Sequence, residues 1–381
     1  MTAPAIARSD NRNVQLGQLI DLLRDQSTRR LDVKAGSGRM RAFAGHLILE
    51  DTEPEIGSEG VTMTAGVYRP NDIANAGLAD KLGIPTAYLR KLAAEHPYLY
   101  DKNVNGWLER TDKRFLIRIL RNNAGGGVAR AVLSTKYGRI DNLDVAMSAL
   151  EGIRRADAAV DVVACDLTDR RMYVKMISPE IQVMAPRLLA NYRSPFNGRS
   201  GHDLPVVSAG LAITNSETGC GAFSIQPWVR FEVCSNGLVI GENVLRRTHL
   251  GSQLTDEDGV VEWSNETNTK ALELITSRAT DAVKAFLDAD YVAEMLRDLE
   301  TTAGTELKEP DTTLKVVGKQ LRFTEEQQDS ILAHFIRGGD ISAGGVMHAV
   351  TSVAQTLDDA DAAFDLESNA VQAMRVAAAN A

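Results

Sequence analysis

The sequence predicts an α+β protein in which a mainly antiparallel sheet built from hairpins carries helices on one face and is followed by a helical C-terminal region. Paired β-rich runs with turn-forming residues between them lie between residues 112 and 240, and apolar stripes of helical period follow from Thr267 onward. This order of hairpin, helix, two hairpins and helices is typical of an antiparallel sheet covered by helices. The composition, 44% hydrophobic and 24% charged over 381 residues, is that of a folded chain of two or three domains.

The first of three predicted regions, residues 1–105, is helical and irregular, with a short helix at Val14–Leu23 and a pair of short helices over 70–96. In this pair, only Tyr88, Arg90 and Lys91 are placed to read a DNA groove. Packing of two helices without duplex binding is therefore the favoured interpretation. Five further residues have the spacing of a helix-turn-helix motif, in which a small residue, a turn glycine and apolar side chains lock the helices together: Ala79, Gly83, Ile84, Leu89 and Leu92.

The second region, residues 106–300, is the predicted α+β core. A first hairpin is expected over Asp112–Ile140, and a second hairpin turns at Thr168–Arg171. Residues 223–233 alternate as a half-buried strand, in which Pro227 requires an edge, a bulge or a break. We expect the strands from 112 to 240 to form one sheet, with the helix at 141–155 and the helix that starts near 267 packed on the same face.

The third region, residues 301–381, is predicted to be helical and acidic. Thr324 and Gln327 form a capping box for a helix that ends at Gly338, and an Ala-rich helix is expected over Ala343–Ala379. The net charge of −9 is unevenly distributed: residues 102–175 hold 14 Lys and Arg against 9 Asp and Glu, whereas residues 252–381 hold 10 against 24. The basic block and the acidic helices are therefore expected to be different electrostatic surfaces.

The sequence has no motif with catalytic or metal-binding spacing. The six histidines are isolated, and neither a P-loop nor a nucleophile elbow is present. We therefore expect no metal and no cofactor, and favour a non-enzymatic protein over an enzyme. Cys165, Cys220 and Cys234 form no CxxC pair and are expected to be reduced thiols of a cytoplasmic protein, since no secretory signal and no apolar run of bilayer length occurs.

The basic block predicts a nucleic-acid interface on the hairpins. In a sheet with one face covered by helices, charged strand residues are expected on the open face or at the edges, where they would follow a phosphate backbone. Tyrosines interleaved with them are suited to stack on bases. The predicted nucleic-acid-binding residues are Arg114, Arg118, Arg121, Arg130, Lys136, Tyr137, Arg139, Arg170, Arg171, Tyr173 and Lys175.

Three segments, RAVLSTKYGRIDN (130–142), GLAITNSETGCGAF (210–223) and VCSNGLVI (233–240), resemble the phage/plasmid-like proteins, a family known as domain of unknown function nine-three-two. The resemblance implies an origin in a phage or plasmid and no established activity. The order of a hairpin-rich sheet and a long helix is also similar to that of phage single-strand annealing proteins, a likeness of fold alone. The polar residues of these segments are expected to make turn and cap hydrogen bonds: Asn142, Asn215, Ser216 and Asn236.

These observations favour a non-enzymatic protein that binds or anneals single-stranded DNA as a homo-oligomer in phage or plasmid recombination, with no membrane partner. Two alternatives remain open. The first is a protein-interaction module, for host takeover or anti-defence, whose acidic C-terminal helices bind a protein partner. The second is an enzyme with a dispersed, metal-dependent nuclease site.

Overall fold

A computed structural model describes residues 11–57, 60–122, 126–240, 245–247 and 265–381. Fifteen strands lie within these ranges. They are β1 (Asn11–Val14), β2 (Arg30–Gly36), β3 (Met40–Phe43), β4 (His46–Leu49), β5 (Glu55–Gly57), β6 (Gly60–Thr62), β7 (Gly66–Pro70), β8 (Arg114–Arg121), β9 (Gly127–Ser134), β10 (Asp161–Leu167), β11 (Met172–Met184), β12 (Val206–Asn215), β13 (Phe223–Phe231), β14 (Gly237–Val239) and β15 (Leu245–Arg247).

Twelve α-helices lie within the same described ranges. They are α1 (Leu16–Arg29), α2 (Asp72–Leu82), α3 (Thr86–Glu95), α4 (Pro97–Leu108), α5 (Asn142–Ala156), α6 (Pro186–Leu189), α7 (Asn265–Phe286), α8 (Ala289–Ala303), α9 (Pro310–Gln320), α10 (Glu325–Gly338), α11 (Ala343–Thr356) and α12 (Ala360–Ala379). The predicted α+β class and the helical C-terminal region are confirmed.

The strands form two large sheets and one separate hairpin. Sheet A has the order β1–β10–β11–β12–β13–β14, with β15 also on β13, and its pairs are antiparallel. Sheet B has the order β2–β8–β9–β7–β4–β3 and is antiparallel apart from the β7–β9 pair, while β5 and β6 pair with each other. The expected single sheet over 112–240 is therefore wrong. The β8–β9 hairpin pairs instead with β2 and β7, strands of the N-terminal region whose pattern is too irregular to show where they pair.

One face of sheet A is covered by α1, α5 and α7, as expected for the last two helices. Apolar side chains of these helices form one buried cluster with alternate residues of β11, β12 and β13. Helices α5 and α7 approach closely at Gly152, where a Cβ would lie 2.4 Å from the carbonyl oxygen of Thr276. The carbonyl of Gly152 accepts a hydrogen bond from Thr280 Oγ1 at 2.9 Å.

The opposite face of sheet A is not open, because α12 packs on it. Ala360 and Phe364 of α12 form a buried cluster with residues of β11, β12 and β13. Strand β13 is consequently buried on both faces, including Ser224 and Trp228, and the expected half-buried strand is wrong. Pro227 sits where the neighbour of β13 changes: β15 pairs as far as Ile225 and β14 pairs from Trp228. This agrees with the expected break in pairing.

The C-terminal helices are part of the core. Twelve of the fourteen residues of α11 are buried, and α8 to α12 share one apolar cluster with β12 and β13. The capping box at Thr324 and Gln327 is present. The predicted single helix over Ala343–Ala379 is two helices, because the Asp359 side chain caps a new helix by accepting from the N–H of Ala362.

Core clusters cross the predicted region boundaries at 105 and 300. The cluster under sheet B runs from residue 31 to residue 132, and the cluster under the C-terminal helices runs from 185 to 377. The three cysteines are free, with Cys165 and Cys234 buried. Burial, together with the charge of Asp166, raises the pKa of the Cys165 thiol to about 12.

Candidate nucleic-acid interface

The structure divides the eleven predicted binding residues by exposure. Arg118, Arg130, Tyr173 and Lys175 are buried, with 4% of the Arg118 side chain exposed. The expectation that these four lie on an open sheet face is wrong, because another part of the chain covers each of them. The remaining residues are partly buried or exposed and lie near strand ends and in turns: Arg114, Arg121, Lys136, Tyr137, Arg139, Arg170 and Arg171.

Arg118 stands at the centre of a buried ion cluster between the two sheets, made of Asp32, Arg118, Arg130, Asp141 and Glu217. Its Nε donates to Asp32 Oδ1 at 2.8 Å, and its Nη2 donates to Asp141 Oδ1 at 2.5 Å. Its Nη1 donates to the carbonyl oxygen of Glu217 at 2.7 Å. Each of the three nitrogens of this guanidinium therefore donates a hydrogen bond inside the protein.

Arg130 reaches the cluster because β9 contains a bulge. The pairing passes from Arg118–Ala131 to Ile119–Ala129, which leaves Arg130 as the extra residue. Its Nη1 donates to Glu217 Oε1, while Glu217 Oε2 accepts from the N–H of Asn142 at the start of α5 at 3.1 Å. Burial opposes ionisation of Glu217, but Arg130, Arg118 and this N–H together lower the pKa of its carboxyl well below the ordinary value.

The segments 130–142 and 210–223 meet at this cluster. Asn215 Nδ2 donates to Asn142 Oδ1 at 2.8 Å and to the carbonyl of Ile140 at 3.2 Å, and the Tyr137 hydroxyl donates to the carbonyl of Ser216 at 3.1 Å. The expected turn role is confirmed for Ser216, whose Oγ accepts from the N–H of Cys220 at 2.9 Å. For Asn142, Asn215 and Asn236 it is wrong, because their side chains bond to distant parts of the chain, Asn236 to Thr351 and Ser352 of α11. The adjoining cavity is about 10 Å³, which accommodates one water at most. The ion cluster is therefore a buried contact between the two sheets and leaves no room for a ligand.

Two basic residues of the second hairpin, Arg171 and Lys175, are paired with acidic residues of α12. Lys175 Nζ donates to Glu367 Oε1 at 2.9 Å, and both side chains are 7% exposed. The Tyr173 hydroxyl donates to Asp361 Oδ1 at 2.6 Å, and Arg171 Nη1 lies 3.2 Å from Asp365 Oδ1. The basic block and the acidic helices thus neutralise each other on this face of sheet A.

The predicted helix pair is present as α2 and α3, joined by a tight turn. Gly83 has φ of 69°, the left-handed conformation that glycine adopts readily. The side chains that lock the two helices together are buried: Ala79, Ile84, Leu89 and Leu92. Tyr88, Arg90 and Lys91 of α3 are exposed. The expected pair of packed helices joined by a glycine turn is therefore confirmed.

Helix α4, which follows α3 directly, presents an aromatic and basic surface that the sequence analysis did not identify. A shallow cleft of about 250 Å³ on this helix, the α4 cleft, is lined by Lys102, Asn103, Gly106, Trp107 and Arg110. Trp107 is 47% exposed, and at one end of the cleft the Nζ of Lys102 lies 5.5 Å from the centre of the Tyr98 ring. Both residue types needed to stack on a base and to pair with a phosphate therefore meet in one depression.

The walls of the α4 cleft are held in place by local contacts. Arg110 Nη1 donates to the carbonyl of Gly106 at 2.6 Å, and Asn103 Nδ2 donates to the carbonyl of Leu99 at 2.8 Å. The nearby carboxylate of Asp101 accepts instead from the N–H groups of Ala44 and Gly45 at 2.7 and 3.0 Å. The sequence did contain a signal for this surface, because Tyr98, Lys102 and Gly106 recur at intervals of four on one face of α4. Arg110 follows at the same interval, just beyond the end of the helix.

Gly106 forms the floor of the cleft in the interior of α4. A Cβ at this position would meet only Arg110 Nη1, at 3.7 Å, which is ordinary contact. Glycine in a helix interior costs about 1 kcal/mol relative to alanine. Packing therefore does not explain why residue 106 is glycine, whereas the need to keep the cleft open does.

Other parts of the described chain suit a phosphate less well. Two larger clefts, of about 580 and 550 Å³, are lined by carboxylates, among them Glu294 and Asp298 in the first and Asp169 and Asp359 in the second. Within the described ranges, no three His, Cys, Asp or Glu side chains converge on a possible metal site. No helix of those ranges combines the length and apolarity needed to cross a bilayer.

No family model, curated protein or solved structure matches the chain.

Proposed function

We propose that the protein binds single-stranded nucleic acid through the α4 cleft. The observation that carries this proposal is the grouping of Trp107, Lys102 and Arg110 around the glycine floor of one exposed depression. The predicted class of function, single-strand binding, is kept. The predicted site moves from the β8–β9 and β10–β11 hairpins, whose central cations are buried, to helix α4.

The chemistry of the cleft fits a strand whose bases are accessible. An exposed indole stacks on any base, and such stacking is worth about 1–3 kcal/mol per base. The ammonium of Lys102 and the guanidinium of Arg110 line the same cleft as the indole and suit the phosphates next to a stacked base. In a duplex the bases are already stacked on each other, so Trp107 would have no partner there.

Duplex DNA is the second candidate ligand, because α2, the turn at Gly83 and α3 match the spacing of a helix-turn-helix motif. Its groove-reading residues, Arg90 and Lys91, lie on α3 and are distinct from those of the α4 cleft. Replacing Arg90 and Lys91 by Ala therefore separates the two ligands: it should weaken duplex binding under this second reading and leave single-strand binding at the α4 cleft unchanged.

Trp107→Ala is expected to weaken binding of a labelled single-stranded oligonucleotide about 5- to 150-fold, the equivalent of one lost stacking contact. Lys102→Ala combined with Arg110→Ala should flatten the dependence of log K on log salt by about 1.4, since each phosphate contact contributes about 0.7. Fluorescence anisotropy across salt concentrations measures both quantities. Lys315→Ala, which removes an exposed lysine of α9, is the matched control and should change neither.

All four positions are exposed, so thermal melting of each variant should match that of the parent. A folded parent protein that binds no single-stranded oligonucleotide at low salt contradicts the proposal. Equal affinities of the parent and Trp107→Ala contradict the assignment of the site.

Gly106→Ala is expected to raise stability and lower affinity at the same time. The methyl group should stabilise α4 by up to about 1 kcal/mol, because alanine is the better helix former and the position has space. The same methyl group fills the floor of the cleft and should weaken oligonucleotide binding. Urea denaturation and anisotropy measure the two effects on one preparation. A variant that is more stable and binds as tightly as the parent would mean that the glycine floor is not used.

A further inference from the structure

The outer face of sheet B, opposite its helix-covered core, is divided into a closed and an open half. On β2, β8 and β9 this face carries Asp32, Arg118 and Arg130 into the buried ion cluster. On β3, β4 and β7 the same face remains exposed to solvent. The open half is defined by the pairs Arg41–Ile48, Phe43–His46 and Ile48–Val67, together with Arg69. We call it the open sheet face.

The open sheet face combines an apolar centre with cations. In this centre the apolar side chains of Phe43 and Val67 are 62% and 51% exposed. The guanidinium carbon of Arg41 lies 5.9 Å from the centre of the Phe43 ring, which forms a stacked cation–aromatic pair. Arg69 is exposed on β7, two residues after Val67 and on the same side of the strand. Glu50 lies 3.6 Å from Arg41 at the end of the face, with both side chains more than half exposed, so this ion pair is weak and easily displaced by a phosphate.

The open sheet face and the α4 cleft lie on elements that pack against each other. Strand β3 packs on α4, where Asn105 accepts from the N–H of Ala42 at 2.7 Å and donates to its carbonyl at 2.9 Å. The turn that joins β3 to β4 is bound to Asp101 of the same helix. The helix that carries the cleft therefore lies beside β3, the edge strand of sheet B that carries Arg41 and Phe43.

We propose that the open sheet face is a second binding surface for the same single strand, with a base on Phe43 and phosphates on Arg69 and Arg41. This inference rests on the proposed function of the α4 cleft. Exposed aromatic and arginine side chains on the open face of a sheet suit unstacked bases and a phosphate backbone. The expected footprint is accordingly longer than the α4 cleft alone requires.

The test compares a short oligonucleotide of about 4 nucleotides with a long one of about 16, the range of site sizes known for single-strand binding folds. Phe43→Ala combined with Arg69→Ala is expected to weaken binding of the long strand about 5- to 150-fold, the loss of one stacking contact, and to flatten its salt dependence by about 0.7. Binding of the short strand should stay unchanged. Trp107→Ala should weaken both. Both substituted side chains are exposed, and unchanged thermal melting verifies the fold of the variant.

Two results separate failure of this inference from failure of the proposed function. If the short strand binds and depends on Trp107, but the long strand binds equally well to the parent and to the Phe43 and Arg69 variant, the second surface is refuted and the cleft stands. If neither strand binds the parent protein, both proposals fall. A long strand that binds no more tightly than the short one likewise overturns the longer footprint.

Discussion

Replacing Glu217 by Gln is expected to lower the free energy of unfolding by about 3–5 kcal/mol. Gln keeps the size of the side chain and one acceptor oxygen but removes the charge that neutralises Arg130 and faces Arg118. Both guanidinium groups are buried, so they would be left without full compensation in a site that excludes water. Urea denaturation followed by circular dichroism measures the change.

Glu151→Gln is the matched control. Hydrogen bonds from Arg154 and Arg155 lower the pKa of the Glu151 carboxyl, as buried cations do for Glu217, but Glu151 lies on the solvent-facing side of α5. Solvent screens such pairs, so the control should change stability far less. Equal effects of the two substitutions would mean that burial of the ion cluster contributes nothing.

The parent protein and Glu217→Gln should also differ in how their stability responds to acid. Because the pKa of Glu217 is lower in the folded state than in the unfolded chain, its stabilising contribution is present above the ordinary value of 4.5 and is lost as the pH falls below it. The parent should therefore lose stability between neutral pH and pH 3 more steeply than Glu217→Gln. Parallel pH profiles would show that Glu217 does not contribute to this acid sensitivity.

The second large effect is expected at the contact between sheet A and α12. Lys175→Met should destabilise the protein by about 3–5 kcal/mol, because it leaves the carboxylate of Glu367 buried without its cation. The Nζ of Lys175 also lies 5.7 Å from the centre of the Phe364 ring. Removing the lysine therefore weakens the docking of the whole helix, which chemical denaturation would reveal.

The double variant Lys175→Met with Glu367→Leu isolates the cause. A buried ion pair replaced by apolar side chains of similar volume is often neutral or stabilising, so the double variant should recover most of the stability lost in the single one. A double variant as unstable as Lys175→Met alone would point to a loss of packing instead of an unpaired charge.

Local rules were sufficient for many elements. The capping box of Thr324 and Gln327, the turn at Thr168–Arg171 and the left-handed Gly83 depend on neighbouring residues only, and each is found where the sequence predicts it. The expected apolar stripe of α5 was less successful, because Met147 is 49% exposed and the buried face is formed largely by small residues, among them Ala146, Ala149 and Gly152. The four-residue spacing of Tyr98, Lys102 and Gly106 on α4 is also visible in the sequence. No local pattern, however, marks an exposed aromatic side chain as part of a binding site.

The sequence by itself determined the α+β class, the hairpins and the free thiols, because these follow from periodicity, turn chemistry and residue type. Only the tertiary structure decided which face each strand exposes. Arg118 and Arg41 are both arginines on strands of sheet B, yet one is enclosed by Glu217 from the other sheet and the other faces solvent. That difference arises from contacts between residues up to 99 apart, as between Arg118 and Glu217. A period-two pattern specifies alternation along one strand and carries no information about what covers it.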